Sequence, residues 1–371
     1  MRTRKIAVVG LGLTAALVMT ACGSSKKAES GAAATTAAAK TTDAAAATDA
    51  ATTVAGAAAP AGDFKAMTIL FDLRGRGDKS FNDSAAAGLD KAKAEFGLTA
   101  TEEVRTGNDE TELLKKAVDA KNPLLIGVGF AWGDAMKASA DANPSVHYAI
   151  VDSVVDSPNV SGLVFKANEG SYLVGAAAAM KSKTGHVGFI GGVDIPLIQD
   201  FYVGFEAGAK SVKADIKIDK QYISPAGDFS GFAAPDKAKT LALKMYGDGA
   251  DVVYHAAGGS GDGLFGAAKE FSAKGTKVWA IGVDSDQALT QSADLAPFIL
   301  TSMIKHVDVA VYETIKSEKE GTFKGGVRVF SAADGGVDYS TTGGNLDDVK
   351  DKLEAIKADI ASGKVTVPTA N

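Results

Sequence analysis

The chain has 371 residues, a formal net charge of −6, one cysteine and four histidines. The acidic balance, with no basic stripe carrying interleaved aromatics, excludes a nucleic-acid surface. One cysteine and four scattered histidines leave no zinc-ligand spacing.

Read from the first residue, Arg2, Arg4 and Lys5 make a positive start, and "IAVVGLGLTAALVM" is an apolar run too short to span a bilayer comfortably. It ends in Met19, Thr20 and Ala21 just before Cys22, a spacing similar to a bacterial lipobox. We therefore expect a lipoprotein signal peptide over 1–21, with Cys22 taking a diacylglycerol and becoming the mature N-terminus. Residues 22–62 are almost entirely Ala, Thr, Ser, Gly and Lys. They lack the large apolar side chains that offset ordering entropy, so we expect a disordered tether holding the protein on the outer face of the cell membrane. What remains is longer than one hydrophobic core serves, so two lobes are expected.

From Asp63 onward, short apolar runs alternate with amphipathic stretches. "AMTILFD" reads as a strand, "SAAAGLDKAKAEFG" as a helix closed by Gly97, "LTATEEVR" as a strand and "DETELLKKAVDA" as a helix. "PLLIGVG", the helix "WGDAMKASADA" and the strand "HYAIVDS" complete a first set. A second set then begins with the helices "EGSYLVGAAAAMKSK" and "FYVGFEAGAKSV" around the strand "HVGFIGG". It continues through "KIDKQYIS", "APDKAKTLALKMYGDG", "ADVVYHAAG", "GLFGAAKEFSAKG" and "KVWAIGVDSD". Strands spaced by helices imply parallel sheets, and two such sets imply two doubly wound α/β lobes. Ligands of open sheets sit beyond the carboxyl ends of strands. Asp72, Asp152, the turn 258–263 and Asp284 all follow strands directly.

Three motifs carry competing readings. "GDGLFG" (261–266) fits the G-x-G-x-x-G dinucleotide fingerprint, with Asp284 about twenty residues on, so spacing alone leaves an NAD-using exported enzyme open. An exported, tethered chain has little access to NAD, and a glycine turn letting backbone N–H groups approach another ligand is the reading we favour. Arg76-Gly77-Asp78 matches an adhesion tripeptide, but it lies between a strand end and a helix start, where a ligand-facing turn belongs, with Asp83 or Ser84 as helix caps. No nucleophile, base and orienter fall together, so nothing requires an enzyme, a metal or a bound coenzyme.

With these residues in view, 66–368 resembles the basic membrane protein family, lipid-anchored substrate-binding proteins of ABC importers that include purine nucleoside receptors. The resemblance is carried, in order, by "DKSFNDSAAAGLDKA", "ANEGSYLVGAAAAMKSKTGHVGFIGG", "IPLIQDFYVGFEAGAK", "GADVVYHAAGGSGDG", "IGVDSDQ" and "LTSMIKHVDVAVYETI". It implies a type I periplasmic-binding-protein fold with three hinge crossings. By it, lobe one takes 64–166 and 298–325, and lobe two takes 167–297 and 326–371. It also implies a nucleoside site with no cofactor, an ABC permease as partner and a monomeric receptor. Phe81 and Phe232 match rings that sandwich a base, one from each lobe. Asp72 and Asp284 match aspartates that accept from ribose hydroxyls, and Lys305 matches a nearby donor. Asn82 is expected at a base edge, Asp134 and Asp152 in the same cleft, and Gly261 where backbone approaches the sugar. A different small solute such as a sugar is the runner-up ligand. This chain departs from the family pattern in "FAAP", where Asp-Pro is usual, and in the basic turn "RGRGD".

Overall fold

A computed structural model of the chain describes residues 64–370, so the expected signal peptide, Cys22 and the tether over 22–62 lie outside the described residues. The first set of elements runs β1 (Ala66–Phe71), α1 (Phe81–Phe96), β2 (Thr99–Val104), α2 (Glu110–Asp119), β3 (Leu124–Gly127), α3 (Gly133–Ala142), β4 (His147–Val151) and β5 (Val160–Phe165). The second runs α4 (Ala167–Lys181), β6 (His186–Val193), α5 (Pro196–Val212), β7 (Lys217–Ser224), α6 (Pro235–Gly247), β8 (Val252–Ala256), α7 (Gly261–Ser272), β9 (Trp279–Asp284), α8 (Gln287–Thr290) and β10 (Ile299–Lys305). After these come α9 (Val307–Lys319), β11 (Gly326–Phe330), β12 (Val337–Tyr339) and α10 (Lys350–Ala361).

The strands form two six-stranded sheets, ordered β11-β5-β4-β3-β1-β2 and β12-β10-β9-β8-β6-β7. Every pairing is parallel except that of β12 with β10. Inner strands such as β3, β6 and β8 are buried throughout and read as continuous apolar runs, because helices cover both faces of a parallel sheet. The edge strands β2 and β7 alternate with charged, exposed residues. Gly97, in the left-handed region at φ 64°, ends α1 as expected.

The chain passes between the sheets three times: after β5, after β10, and between β11 and β12. The crossings run side by side, with Lys166 N donating to Phe330 O at 2.8 Å and His306 N donating to Gly336 O at 3.0 Å. Two expected lobe boundaries are corrected here. Residues 299–305 form β10, hydrogen-bonded to β9 in the second sheet, so the return to lobe one falls at 306 and not at 298. Residues 326–330 form β11, paired with β5 in the first sheet, so lobe one extends to 330. Helix α9 packs on α1 of lobe one, where Tyr312 Oη donates to Glu95 at 2.7 Å. Among the described residues no helix is long and apolar enough to cross a membrane.

Candidate functional site

The turn from Asp72 to Ser80 joins the carboxyl end of β1 to α1, and its shape comes from one buried carboxylate. Asp78, 3% exposed, accepts from the backbone N–H groups of Ser80, Asn82 and Asp83 at 3.0, 2.9 and 3.1 Å. It thus does the work of a helix cap from two residues ahead of the N-cap position, Ser80, in place of the expected caps of α1, Asp83 or Ser84. Burial, opposed by those hydrogen bonds, pushes its carboxyl up to about 6. Arg76 turns the other way and forks onto Asp90 (2.8 Å) and Glu102 (2.7 Å) of its own lobe. The Arg-Gly-Asp tripeptide is therefore built into the fold, with its aspartate facing inward, which overturns the adhesion reading.

Between the two sheets lies a cleft of about 620 Å³ of empty space, its open mouth included. Asp72, Phe81, Asn82, Asp152, Phe232, Asp284 and Lys305, all anticipated from the sequence, line it together. Phe81 opens α1 on lobe one, half-buried, and Phe232 closes a 3₁₀ turn (Phe229–Phe232) on lobe two. The Phe232 ring has its seat because residue 192 is glycine: a Cβ there would stand 2.5 Å from the ring.

The charges are arranged as two networks. Asp72 accepts from Arg105 Nη2 and Nε at 2.7 and 3.0 Å, and buried Arg105 also reaches Glu110 at 2.9 Å. Lys305, the last residue of β10 and 3% exposed, donates to Asp152 at 2.6 Å and lies 3.5 Å from Asp284. Burial alone would lower the Lys305 ammonium, but Asp152 and Asp284 together outweigh it and hold it above the ordinary lysine range. Burial raises the Asp152 carboxyl, with Lys305 opposing and Asp284 adding to the rise. Asp284 also accepts from Ser80 Oγ at 2.7 Å, a bond across the cleft. Both strand-end aspartates take left-handed backbone, φ 62° at Asp152 and φ 65° at Asp284, a conformation rare for residues with side chains and concentrated at ligand sites.

Other expectations are corrected. Asn82 lines the cleft, but its amide is used in the turn: Oδ1 accepts from Asp72 N at 3.1 Å, and Nδ2 donates to Asp78 and Leu73 O at 3.0 and 3.3 Å. It shapes the wall rather than offering a base edge. Asp134 stands in the first turn of α3 and lines a separate groove with Lys137, Asp156 and Phe229. Gly261 also lies outside the cleft lining. A Cβ there would meet the His255 ring, and one at Gly263 would meet Pro235 O, so packing alone requires both glycines. Gly258 and Gly259 approach the cleft instead.

Sequence reading missed Phe130, which follows the apolar run "PLLIGVG" directly and so satisfied the strand-end rule already applied to Asp72. Its ring meets Phe229 and Phe232 of the other lobe edge-on, at centroid distances of 5.3 and 6.4 Å. Leu197, Ile198 and Phe201, at the start of α5, add apolar lining, the first two from a stretch quoted for its resemblance alone and Phe201 from one read as a helix.

Two parallel-sheet lobes crossed three times by the chain, with rings and carboxylates converging on the gap, define a type I periplasmic-binding protein. Solved structures agree. A solute-binding protein of an ABC transporter system from Aeropyrum pernix superposes with a TM-score of 0.73 at 28% identity, covering 82% of this chain and 94% of its own. A transcriptional activator of the comK gene from Bacillus halodurans does so with a TM-score of 0.64 at 25% identity, covering 81% and 99%. Residues 66–371 match the family described as "ABC transporter substrate-binding protein PnrA-like", and the chain belongs to that family of substrate-binding proteins. Among its relatives, the ABC transporter nucleoside-binding protein BmpA of Lactococcus lactis is 41% identical over 83% of this chain and 90% of its own length. Basic membrane protein A of Borreliella burgdorferi is 38% identical over 67% and 71%.

Proposed function

We propose that this substrate-binding protein captures a nucleoside, a purine nucleoside first, and delivers it to the permease of an ABC importer. The observation that carries this reading is that Phe81 and Phe232 come from different lobes and line one cleft together with Asp72, Asp152 and Asp284. A purine is a flat, polarizable disc, and stacking contributes about 1–3 kcal/mol per base in nucleic-acid systems. Carboxylates only accept hydrogen bonds, which suits the vicinal diol of ribose, and buried acceptors left unpaired would penalise a deoxy sugar. The nucleoside-binding relative from Lactococcus lactis supports the same ligand class.

The protein acts by binding and closure, without catalysis, as one copy anchored through a lipid on Cys22 at the outer face of the membrane. Thermal unfolding of the full chain with adenosine, guanosine, inosine, their 2′-deoxy forms, arabinose and NAD tests the ligand. A nucleoside at one hundred times its dissociation constant is expected to add about 2.7 kcal/mol. Stabilisation by the sugar or NAD, with none by a nucleoside, overturns the ligand and leaves the fold standing. For the anchor, Cys22→Ala is expected to release the protein from the membrane fraction, and unchanged retention removes it.

A further inference from the structure

We propose that Arg74 and Lys79 of lobe one and Asp262 of lobe two form an ionic clasp that sets how long the closed lobes hold their ligand. Arg74 Nη1 donates to Gly259 O at 2.8 Å, and its Nη2 lies 3.8 Å from Asp262. Lys79 Nζ donates to Gln291 at 3.1 Å and stands 3.9 Å from Asp262, while Gln291 Nε2 donates to Asp262 at 2.7 Å. The Lys79 carbonyl in turn accepts from Gln287 Nε2 at 3.1 Å. Every one of these bonds between the 72–80 turn and lobe two requires the lobes to be together.

Backbone conformation points the same way. Arg74 and Lys79 both take left-handed φ, 75° and 56°, which costs a residue with a side chain. The backbone of the turn is secured inside lobe one by Asp78 and Asp83, whose carboxylates bind the N–H groups of Gly77, Lys79 and Ser80. Arg76, between them, is held by Asp90 and Glu102 of its own lobe and takes no part. Both strained residues thus reach across, as does the unstrained Ser80, whose Oγ donates to Asp284. The same turn carries Asp72 and leads into Phe81, so opening the clasp moves a wall of the cleft. Its charged side chains are about one-third exposed (31% for Arg74, 37% for Lys79, 28% for Asp262), so salt screens them, whereas the buried Asp152–Lys305–Asp284 group is shielded.

The clasp rests on the nucleoside reading only through the ligand used to probe it. Stopped-flow dissociation of adenosine from the full chain, at about 20 mM and about 500 mM salt, compares wild type with R74Q, D262N, the double variant and R76Q. R74Q and D262N are expected to release ligand about fivefold faster at low salt, with the double variant slower than the product of the two single effects. Wild type is expected to accelerate with salt, D262N not to, and R76Q to behave as wild type. Unchanged rates, additive effects or an equal salt response in D262N overturn the clasp. If wild type binds no nucleoside, the ligand reading fails separately, and solution X-ray scattering decides the clasp. D262N is then expected to be more extended than wild type at low salt, and equal dimensions at every salt overturn it.

Discussion

The two lobes share one plan and spend it differently. Strand β4 of lobe one and β9 of lobe two occupy the same place, third from the β11 or β12 edge, and each delivers an aspartate with left-handed backbone to the cleft. Strands β1 and β6 also correspond, yet β1 is followed by Asp72, held by buried Arg105, whereas the end of β6, just before Val193, carries Gly191 and Gly192, which leave room for Tyr222 and Phe232. Lobe one therefore presents a charge where lobe two presents a seat for a ring. The cleft lining is divided between two copies of one architecture, each giving a ring and a carboxylate: Phe81 with Asp72 and Asp152 on one, Phe232 with Asp284 on the other.

Lys305 ties the halves, so removing it breaks the comparison most severely. Lys305→Met leaves Asp152 and Asp284 buried without their cation, and we expect a loss of about 3–5 kcal/mol in denaturant unfolding. Adding Asp152→Asn and Asp284→Asn is expected to recover most of it. Next come the rings. Phe81→Ala and Phe232→Ala are each expected to weaken nucleoside binding by about 1–3 kcal/mol, roughly 5- to 150-fold in titration calorimetry. A loss confined to one ring would show that the ligand stacks on one lobe only. Gly261→Ala sharpens the contrast between packing and binding. Forcing a methyl against His255 is expected to lower stability by about 1–3 kcal/mol, with ligand affinity of the folded protein unchanged.

The smallest effects are pH slopes of opposite sign, one from each lobe. The folded-state pKa of Asp78 in lobe one is raised to about 6, so its contribution is full at low pH and declines as pH rises from about 4 through 6. His255 in lobe two is lowered to about 4 by burial, with Nε2 donating to Gln287 at 2.9 Å, so its contribution is present above about 6.5 and lost as pH falls toward 4. Unfolding between pH 4 and 7 should show the Asp78→Ala cost, about 1–2 kcal/mol from the lost cap, shrinking as pH rises. The His255→Asn cost should grow over the same range. Parallel slopes would refute the assignment.

The sequence made the alternating pattern of the first two-thirds legible because helices separate most strands there. It concealed β5, which follows β4 through an eight-residue connection without a helix and so breaks the alternation. The segments after 286 were ordered by resemblance alone, and exchange of β10 and β11 between lobes is a matter of long-range pairing that no local pattern carries. Within the site, charged residues at strand ends were readable because a carboxylate beyond an apolar strand has few structural reasons to be there. The duties of Asn82 and Gly261 were not, since each depends on a neighbour: the Asp72 and Asp78 geometry for one, the His255 ring for the other. Phe130 was readable too, since it follows the apolar run "PLLIGVG" as Asp72 follows β1.

The late exchange of strands also governs the order in which the molecule can be made. The first sheet lacks its outer strand until 326–330 is available, and the second lacks β10 until 299–305 and β12 until 337–339. A growing polypeptide therefore cannot finish either half before nearly all of it has emerged from the ribosome.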